Sequence, residues 1–311
     1  MPFPVSEVYW GVDLGGTKIE AVVIDGALKP ICRRRIATEA EYGYSHILER
    51  ISTLLGMVSR ESGIPIPERI GIGTPGRYDT LPGVMKNSNT VALNGRDLKR
   101  DLEQLLHREL LIENDANCFA LAESMLGCGA SLMRDPSKMA FGIILGTGVG
   151  GGIVCHGRVR HGAHGIAGEW GHNELMPDGE ACYCGRRGCV ETVISGPALE
   201  RYYKALTGSF KPLSQIASDC SSDTAAAETI ERLLFCFGKA LARVINILDP
   251  DLCIIGGGVG QVEQLYSPEA RIAIERHLFN SELRIPILKP LLGDSAGVFG
   301  AALLSFKPII S

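Results

Sequence analysis

No stretch of this 311-residue chain is apolar for long enough to cross a membrane. Even the run VINILDPDLCIIGGG is interrupted by Asp249, Pro250 and Asp251. The amino-terminal MPFPVSEVYW lacks the basic start and apolar core of a secretory signal. Excess positive charge is missing too, since the formal net charge is −4. The sharpest basic cluster, Arg33-Arg34-Arg35, falls short of a binding tract and reads as a solvated strand edge. A disulfide framework is also absent: Cys32, Cys118, Cys128, Cys155, Cys220, Cys236 and Cys253 are scattered through apolar or helical contexts. These absences predict a cytoplasmic protein with neither membrane nor nucleic acid as partner.

What is present is concentrated in EWGHNELMPDGEACYCGRRGCVET, from Glu169 to Thr192. His172, Cys182, Cys184 and Cys189 supply one imidazole and three thiols at loop spacing, a Cys₃His zinc set. A structural zinc closing the loop 172–189 would fix Glu169 and Glu191, which flank the ligands, relative to each other. Carboxylates held in this way suit a ligand rich in hydroxyls, because each ionised oxygen accepts hydrogen bonds. The competing reading is a Cys-rich turn with surface acids. Gly185 and Gly188 favour the metal, because a thiolate cluster needs a tight backbone.

The length suggests two domains, and 45% hydrophobic with 21% charged residues is ordinary for a globular enzyme. Two segments share one layout. VYWGVDLGGTKIEAVVIDG and MAFGIILGTGVGGGIVCHG each read as strand, glycine turn and strand. Between and after them, helical spacing marks 46–62, 98–108 and 225–248, and a further helix is expected over 264–278. In the third, Leu233, Leu234, Phe237, Leu241, Val244, Ile245 and Leu248 form the buried stripe. The order is that of a mixed α/β protein.

Gly146-Thr147-Gly148-Val149-Gly150-Gly151 satisfies a dinucleotide pattern but runs into strand, where a helix is required. Gly11 to Lys18 resembles a phosphate loop, yet ends Gly-Thr-Lys and not Gly-Lys-Ser/Thr. Two tight turns remain, each with a threonine at its tip, Thr17 and Thr147. Their small residues let backbone amides approach phosphate oxygens. In LLIENDANCFALAE a strand gives way to a helix near Asn114 and Asp115. These two side chains read equally as helix caps or as a proton-accepting site at the strand end.

DLGGTK from Asp13, NDANC from Asn114, LGTGVGGG from Leu145, GEWGH from Gly168, the CxCGxxGCxE cluster and IIGGG from Ile254 resemble the ROK family of sugar kinases and repressors. The likeness runs from about Tyr9 to Leu304. KNSNTVALNG, AGEWGHNEL and CYCGRRGC resemble the wording of its fructokinase and mannofructokinase members, with N-acetylglucosamine kinase a more distant likeness. The resemblance implies an actin-like, ribonuclease-H-like fold with an interdomain cleft, divided into 1–117 plus 295–311 and 118–294. It implies Asp115 as catalytic base, and Asn114, Glu169, His172, Glu191, Gly76 and Asn89 on the sugar.

ATP would be held by Asp13, Gly15, Gly16, Thr17, Lys18, Gly146, Thr147, Gly148, Gly256, Gly257 and Gly258, with Asp13 facing Mg²⁺ through water. His172 would be shared, one ring nitrogen on zinc and the other on the sugar. The expected substrate is fructose, phosphorylated on its 6-hydroxyl, then mannose, with glucokinase or N-acetylglucosamine kinase as the alternative. Trp170 is expected to supply bulk against an acetamido group. A homodimer is what the family suggests. Family repressors carry a helix-turn-helix region before the DxGGT turn, and twelve residues here are too few for one. A zinc hydrolase is disfavoured, because three thiolates and a histidine leave the metal no open position.

Overall fold

The computed structural model describes residues 7–306. Strands β1 (Val8–Leu14), β2 (Lys18–Asp25) and β3 (Pro30–Ala37) come first, then helix α1 (Tyr44–Ser62) and strand β4 (Arg69–Thr74). A small hairpin follows, β5 (Arg77–Asp79) and β6 (Val84–Lys86), then α2 (Leu98–Leu106), β7 (Glu109–Asn114) and α3 (Asp115–Met125). The second hairpin is β8 (Met139–Leu145) and β9 (Val149–Cys155), before the short β10 (Arg158–Val159). Helices α4 (Val190–Ile194), α5 (Gly196–Thr207), α6 (Leu213–Asp219) and α7 (Thr224–Leu248) lead to β11 (Leu252–Gly256). Helix α8 (Pro268–Glu275), β12 (Ile287–Leu288) and α9 (Ala296–Leu304) complete the order.

The chain divides into two compact units. Unit 1 is Met1–Pro136, Gly157–Val159 and Leu291–Ser311; unit 2 is Ser137–His156 and Arg160–Pro290. This division differs from the expected break at 117/118. Helix α3 stays with unit 1 because it packs along α9.

In unit 1 the sheet order is β3-β2-β1-β4-β7. Strand β1 pairs antiparallel with β2 and parallel with β4, and β4 is parallel to β7. The apolar runs of β1, β2 and β4 are buried almost throughout, as central strands require, whereas PICRRRIA is exposed along the edge. Its arginines are paired: Arg33 and Arg35 both reach the buried Glu20, and Arg34 lies 2.6 Å from Glu61. Helix α1 buries Ile47, Ile51, Leu54, Leu55 and Val58 against this sheet, each side chain stabilising by roughly 1.5–3 kcal/mol.

Unit 2 repeats the layout. Strand β8 pairs antiparallel with β9 and parallel with β11, which is parallel to β12. The duplication visible in the two glycine-turn segments is therefore one of topology. Helix α7 buries Leu233, Phe237, Leu241, Val244 and Ile245 of the expected stripe, whereas Leu234 and Leu248, at its margins, are only half-buried against the core. The helix expected over 264–278 is broken instead. A 3-10 turn over Glu263–Tyr266 ends at Ser267, whose side chain caps α8, and Pro268 occupies the first turn, where no N–H is needed. Among the described residues no helix is long and apolar enough to cross a membrane.

Candidate active site

The predicted residues fall into two sets. Asp13, Gly15, Gly16, Thr17, Lys18, Gly76, Asn89, Asn114 and Asp115 lie in unit 1. Gly146, Thr147, Gly148, Glu169, His172, the cysteines, Glu191 and Gly256 to Gly258 lie in unit 2.

Register aligns the first set. Asp13 pairs with Gly73 across β1 and β4, and Gly73 pairs with Glu113 across β4 and β7. Thr74 and Asn114 thus end β4 and β7 side by side, with Asp13 one residue before the end of the parallel β1, at the edge where open α/β sheets bind ligands. A Cβ on Gly297 would lie 3.0 Å from the Asp13 carboxylate, so the first turn of α9 closes over this acid only because Gly297 has no side chain. Burial pushes the Asp13 carboxyl up to about 6, and the charges of Asp115 and Glu20 add to it. A divalent cation would relieve that strain, so the site suits Mg²⁺ electrostatically.

The turn between β1 and β2 is closed by Gly15 N–H on Lys18 O at 2.9 Å. Thr38 holds it from outside: its hydroxyl donates to Gly15 O at 2.7 Å and its N–H to Thr17 O at 3.0 Å. Gly16 and Thr17 are exposed at the tip, and Lys18 Nζ lies 3.9 Å from Asp294. A depression of about 660 Å³ is lined by Gly16, Thr17, Asn89 and Thr90, so the first turn and the expected sugar residue Asn89 share one wall. Asn89 is exposed between buried Ser88 and Thr90. Gly76 has φ 91°, and a Cβ there would meet Lys86 O at 2.7 Å. Its glycine is explained by the backbone of this loop.

Asn114 caps α3: its side-chain oxygen accepts from Asn117 N–H at 2.9 Å. Its Nδ2 donates to Asp115 Oδ1 at 3.1 Å, and Ala116 N–H donates to the same oxygen at 2.8 Å. Asp115 remains exposed.

In unit 2 the turn after β8 is closed by Gly146 N–H on Gly148 O at 2.9 Å. Three other segments meet it. Gly196 N–H donates to Gly146 O at 2.8 Å, and the place of a Cβ on Gly146 is 4.0 Å from Gly258 N. Val149 N–H donates to Glu191 Oε2 at 2.9 Å, and a Cβ on Gly148 would strike that oxygen at 2.5 Å. Thr147, Gly257 and Gly258 are exposed around the turn.

The four expected zinc ligands converge. One ligand atom from each of His172, Cys182, Cys184 and Cys189 lies within 4.8 Å of all the others. Cys182 Sγ is 3.5 Å from His172 Nδ1 and Cys184 Sγ 3.6 Å from Cys189 Sγ, near the edge of about 3.8 Å that Zn–S bonds of about 2.3 Å give a tetrahedron. Burial opposes ionisation of Cys184, but hydrogen bonds from Arg186 and from the neighbouring thiols bring it down to about 6. Burial, then the neighbouring thiols of Cys184 and Cys182, hold Cys189 up at about 12. A cation would let all the thiols ionise together, so the donor set fits a metal. Cys189 is also the residue before α4, and Glu191 stands in that helix's first turn. The cluster therefore orients Glu191.

One expectation changes here. Trp170 is 4% exposed, donates its indole N–H to Gly150 O at 2.9 Å, and packs on Phe141 in the core of unit 2. It stiffens β9 and is not free to fill a sugar pocket. The outer nitrogen of His172, the one expected on the sugar, lies 2.9 Å from the Tyr183 hydroxyl. Tyr183 was not singled out by sequence reasoning, although an aromatic between two metal-spaced cysteines has little choice but to sit beside the cluster. Glu169 is exposed at the start of the 3-10 turn holding His172.

An antiparallel hairpin with a glycine turn, extended by parallel strands and repeated in two units, is the ribonuclease-H-like pattern of phosphate-handling proteins. The ROK family matches residues 9–307, and the chain belongs to it. The N-acetyl-D-glucosamine kinase of Aliivibrio fischeri is 36% identical over 312 residues, spanning 96% of this chain and all of that one. A ROK hexokinase from Thermus thermophilus superposes with a TM-score of 0.85 at 32% identity, covering 96% and 97% of the two chains. A ROK glucokinase from Streptomyces griseus, solved with glucose and AMPPNP, gives 0.75 at 30% identity, covering 96% and 99%. The fold is that of the ROK sugar kinases.

Proposed function

We propose that this protein is an ATP-dependent kinase of N-acetylglucosamine, phosphorylating its 6-hydroxyl. The observation that carries the reaction class is the row of Asp13, Asn114 and Asp115 at the ends of parallel strands, in a chain of ROK family and fold. The sugar follows from the relatives: N-acetyl-D-glucosamine kinases are 34–36% identical over 96% of the chain. Fructose, expected from the wording of short motifs, is outweighed by these whole-chain relatives, and the bulk expected of Trp170 does not stand against them. That indole is committed to the core, so it gives no reason to exclude an acetamido group.

Phosphoryl transfer asks the protein for positioning and charge stabilisation. Asp115 accepts the proton of the attacking hydroxyl, and its other hydrogen bonds, from Asn114 and Ala116, hold the carboxylate in one orientation. Glu169, Glu191, Asn89 and the Nε2 side of His172 hold the remaining hydroxyls. Asn114 acts on the sugar chiefly through Asp115, because its own oxygen is used in the cap. The backbone amides of Gly15 to Lys18 and of Gly146 to Gly148 receive the ATP phosphates, with Gly256 to Gly258 beside the adenosine. Mg²⁺ at Asp13 would supply charge neutralisation of the phosphates. Zinc on His172, Cys182, Cys184 and Cys189 would supply rigidity to the loop bearing Glu191.

ADP release measured over N-acetylglucosamine, glucose, mannose and fructose tests the ranking. The highest kcat/KM is expected for N-acetylglucosamine, and a higher value for fructose would restore the fructokinase reading while leaving the reaction class intact.

A further inference from the structure

The imidazole of His172 has two partners of unlike kind. Nδ1 lies 3.5 Å from Cys182 Sγ and Nε2 lies 2.9 Å from the Tyr183 hydroxyl. The two rings meet edge to face, with centroids 5.1 Å apart and planes at 88°. Tyr183 is 70% exposed, so its ring is anchored chiefly from the His172 side. A neutral hydrogen bond exchanged against water holds it only weakly, and an exposed side chain has other staggered rotamers to take. Glu169 precedes the 3-10 turn that carries His172, and Glu191 stands in the first turn of α4 just after Cys189, so both carboxylates are borne by the segments that hold the imidazole.

Those carboxylates only accept hydrogen bonds when ionised. A ligand with many hydroxyls needs a donor beside them, and His172 is the ring that offers one. With Nδ1 turned to the thiols as a metal ligand, Nε2 keeps its proton and donates. In the free protein that proton is already taken by Tyr183.

We propose that the Tyr183 hydroxyl holds the place of a sugar hydroxyl on His172, and that the sugar binds by displacing it. This inference rests on the sugar-kinase reading above. The exchange leaves the number of hydrogen bonds on Nε2 unchanged, so a ligand gains only if it also donates to Glu169 and Glu191. Tyr183 therefore raises the threshold for simple alcohols and water, and passes ligands with several correctly spaced hydroxyls. The apparent sugar affinity is lowered by the fraction of molecules in which Tyr183 is free of His172.

Tyr183→Phe keeps the ring and removes the competitor. Titration calorimetry of the purified, metal-loaded protein with N-acetylglucosamine and with glucose, in the absence of ATP, should give a Kd roughly fivefold lower for the variant with both sugars. Wild type should also show a tyrosine near-UV difference signal on sugar addition that the variant lacks. An equal or higher Kd in Tyr183→Phe overturns the proposal, as does a lowered melting temperature with unchanged Kd, the result of a contact that only stabilises the loop. A wild type that neither binds nor phosphorylates a hexose removes the kinase reading and this inference with it. Wild-type binding that is unaltered by the substitution removes this inference alone.

Discussion

Asn114 donates its amide to Asp115 Oδ1 at 3.1 Å while its own side-chain oxygen caps helix α3. The two readings of this segment are thus not alternatives. The cap fixes Asn114, and Asn114 in turn fixes the carboxylate that is left exposed at the strand end.

Asp115→Asn should keep the fold, because its amide oxygen can still accept from Ala116 N–H. The variant should lose at least about 10²-fold in kcat, the scale of a general base. Steady-state kinetics on a variant with wild-type circular dichroism checks this, and near-normal turnover would remove Asp115 from the role.

Asp13→Asn should stabilise the free protein at pH 7 and abolish activity. A carboxyl raised from 3.8 to about 6 on folding makes the ionised native state costly. That cost is absent below about pH 4, grows as pH rises to about 6, and is complete above it. The neutral amide escapes it, by about 1–3 kcal/mol at pH 7 and by little at pH 3.5. Urea denaturation at the two pH values measures both, and a variant less stable than wild type at pH 7 would contradict the assigned strain.

Gly148→Ala should displace Glu191, since the new methyl would lie 2.5 Å from its Oε2. The expected effect is about a tenfold rise in sugar KM, one misplaced charge-assisted contact. A KM equal to wild type would mean that the glycine serves the turn and not the carboxylate.

Metal analysis should find about one zinc per chain, and Cys189→Ser should bind far less. Because Cys189 precedes α4, loss of the metal should lower the melting temperature and weaken sugar binding together. A fully active preparation free of zinc would exclude the structural role.

Much of this was legible in the chain. The strand-turn-strand segments, the stripe Leu233, Phe237, Leu241, Val244 and Ile245, and the convergence of four ligands over 172–189 all follow from local pattern, because periodicity and ligand spacing are local properties. What was not legible depends on partners far along the chain. Thr38 braces the turn at Gly15 from 23 residues away, and nothing in its neighbourhood marks it. Trp170 stands next to a functional glutamate, but its side faces Phe141 and Gly150, which only the pairing of β8 with β9 brings there. The break at Pro268 was readable, and the apolar spacing on either side concealed it.

The most direct test of the central claim is product analysis after incubation with ATP, Mg²⁺ and N-acetylglucosamine, by phosphorus NMR and mass spectrometry. One phosphomonoester per ADP formed is expected, located on the 6-oxygen, with the initial rate of its formation at least about 10²-fold lower for Asp115→Asn. Absence of any phosphorylated sugar from wild-type protein, across that sugar and the other hexoses, would contradict it.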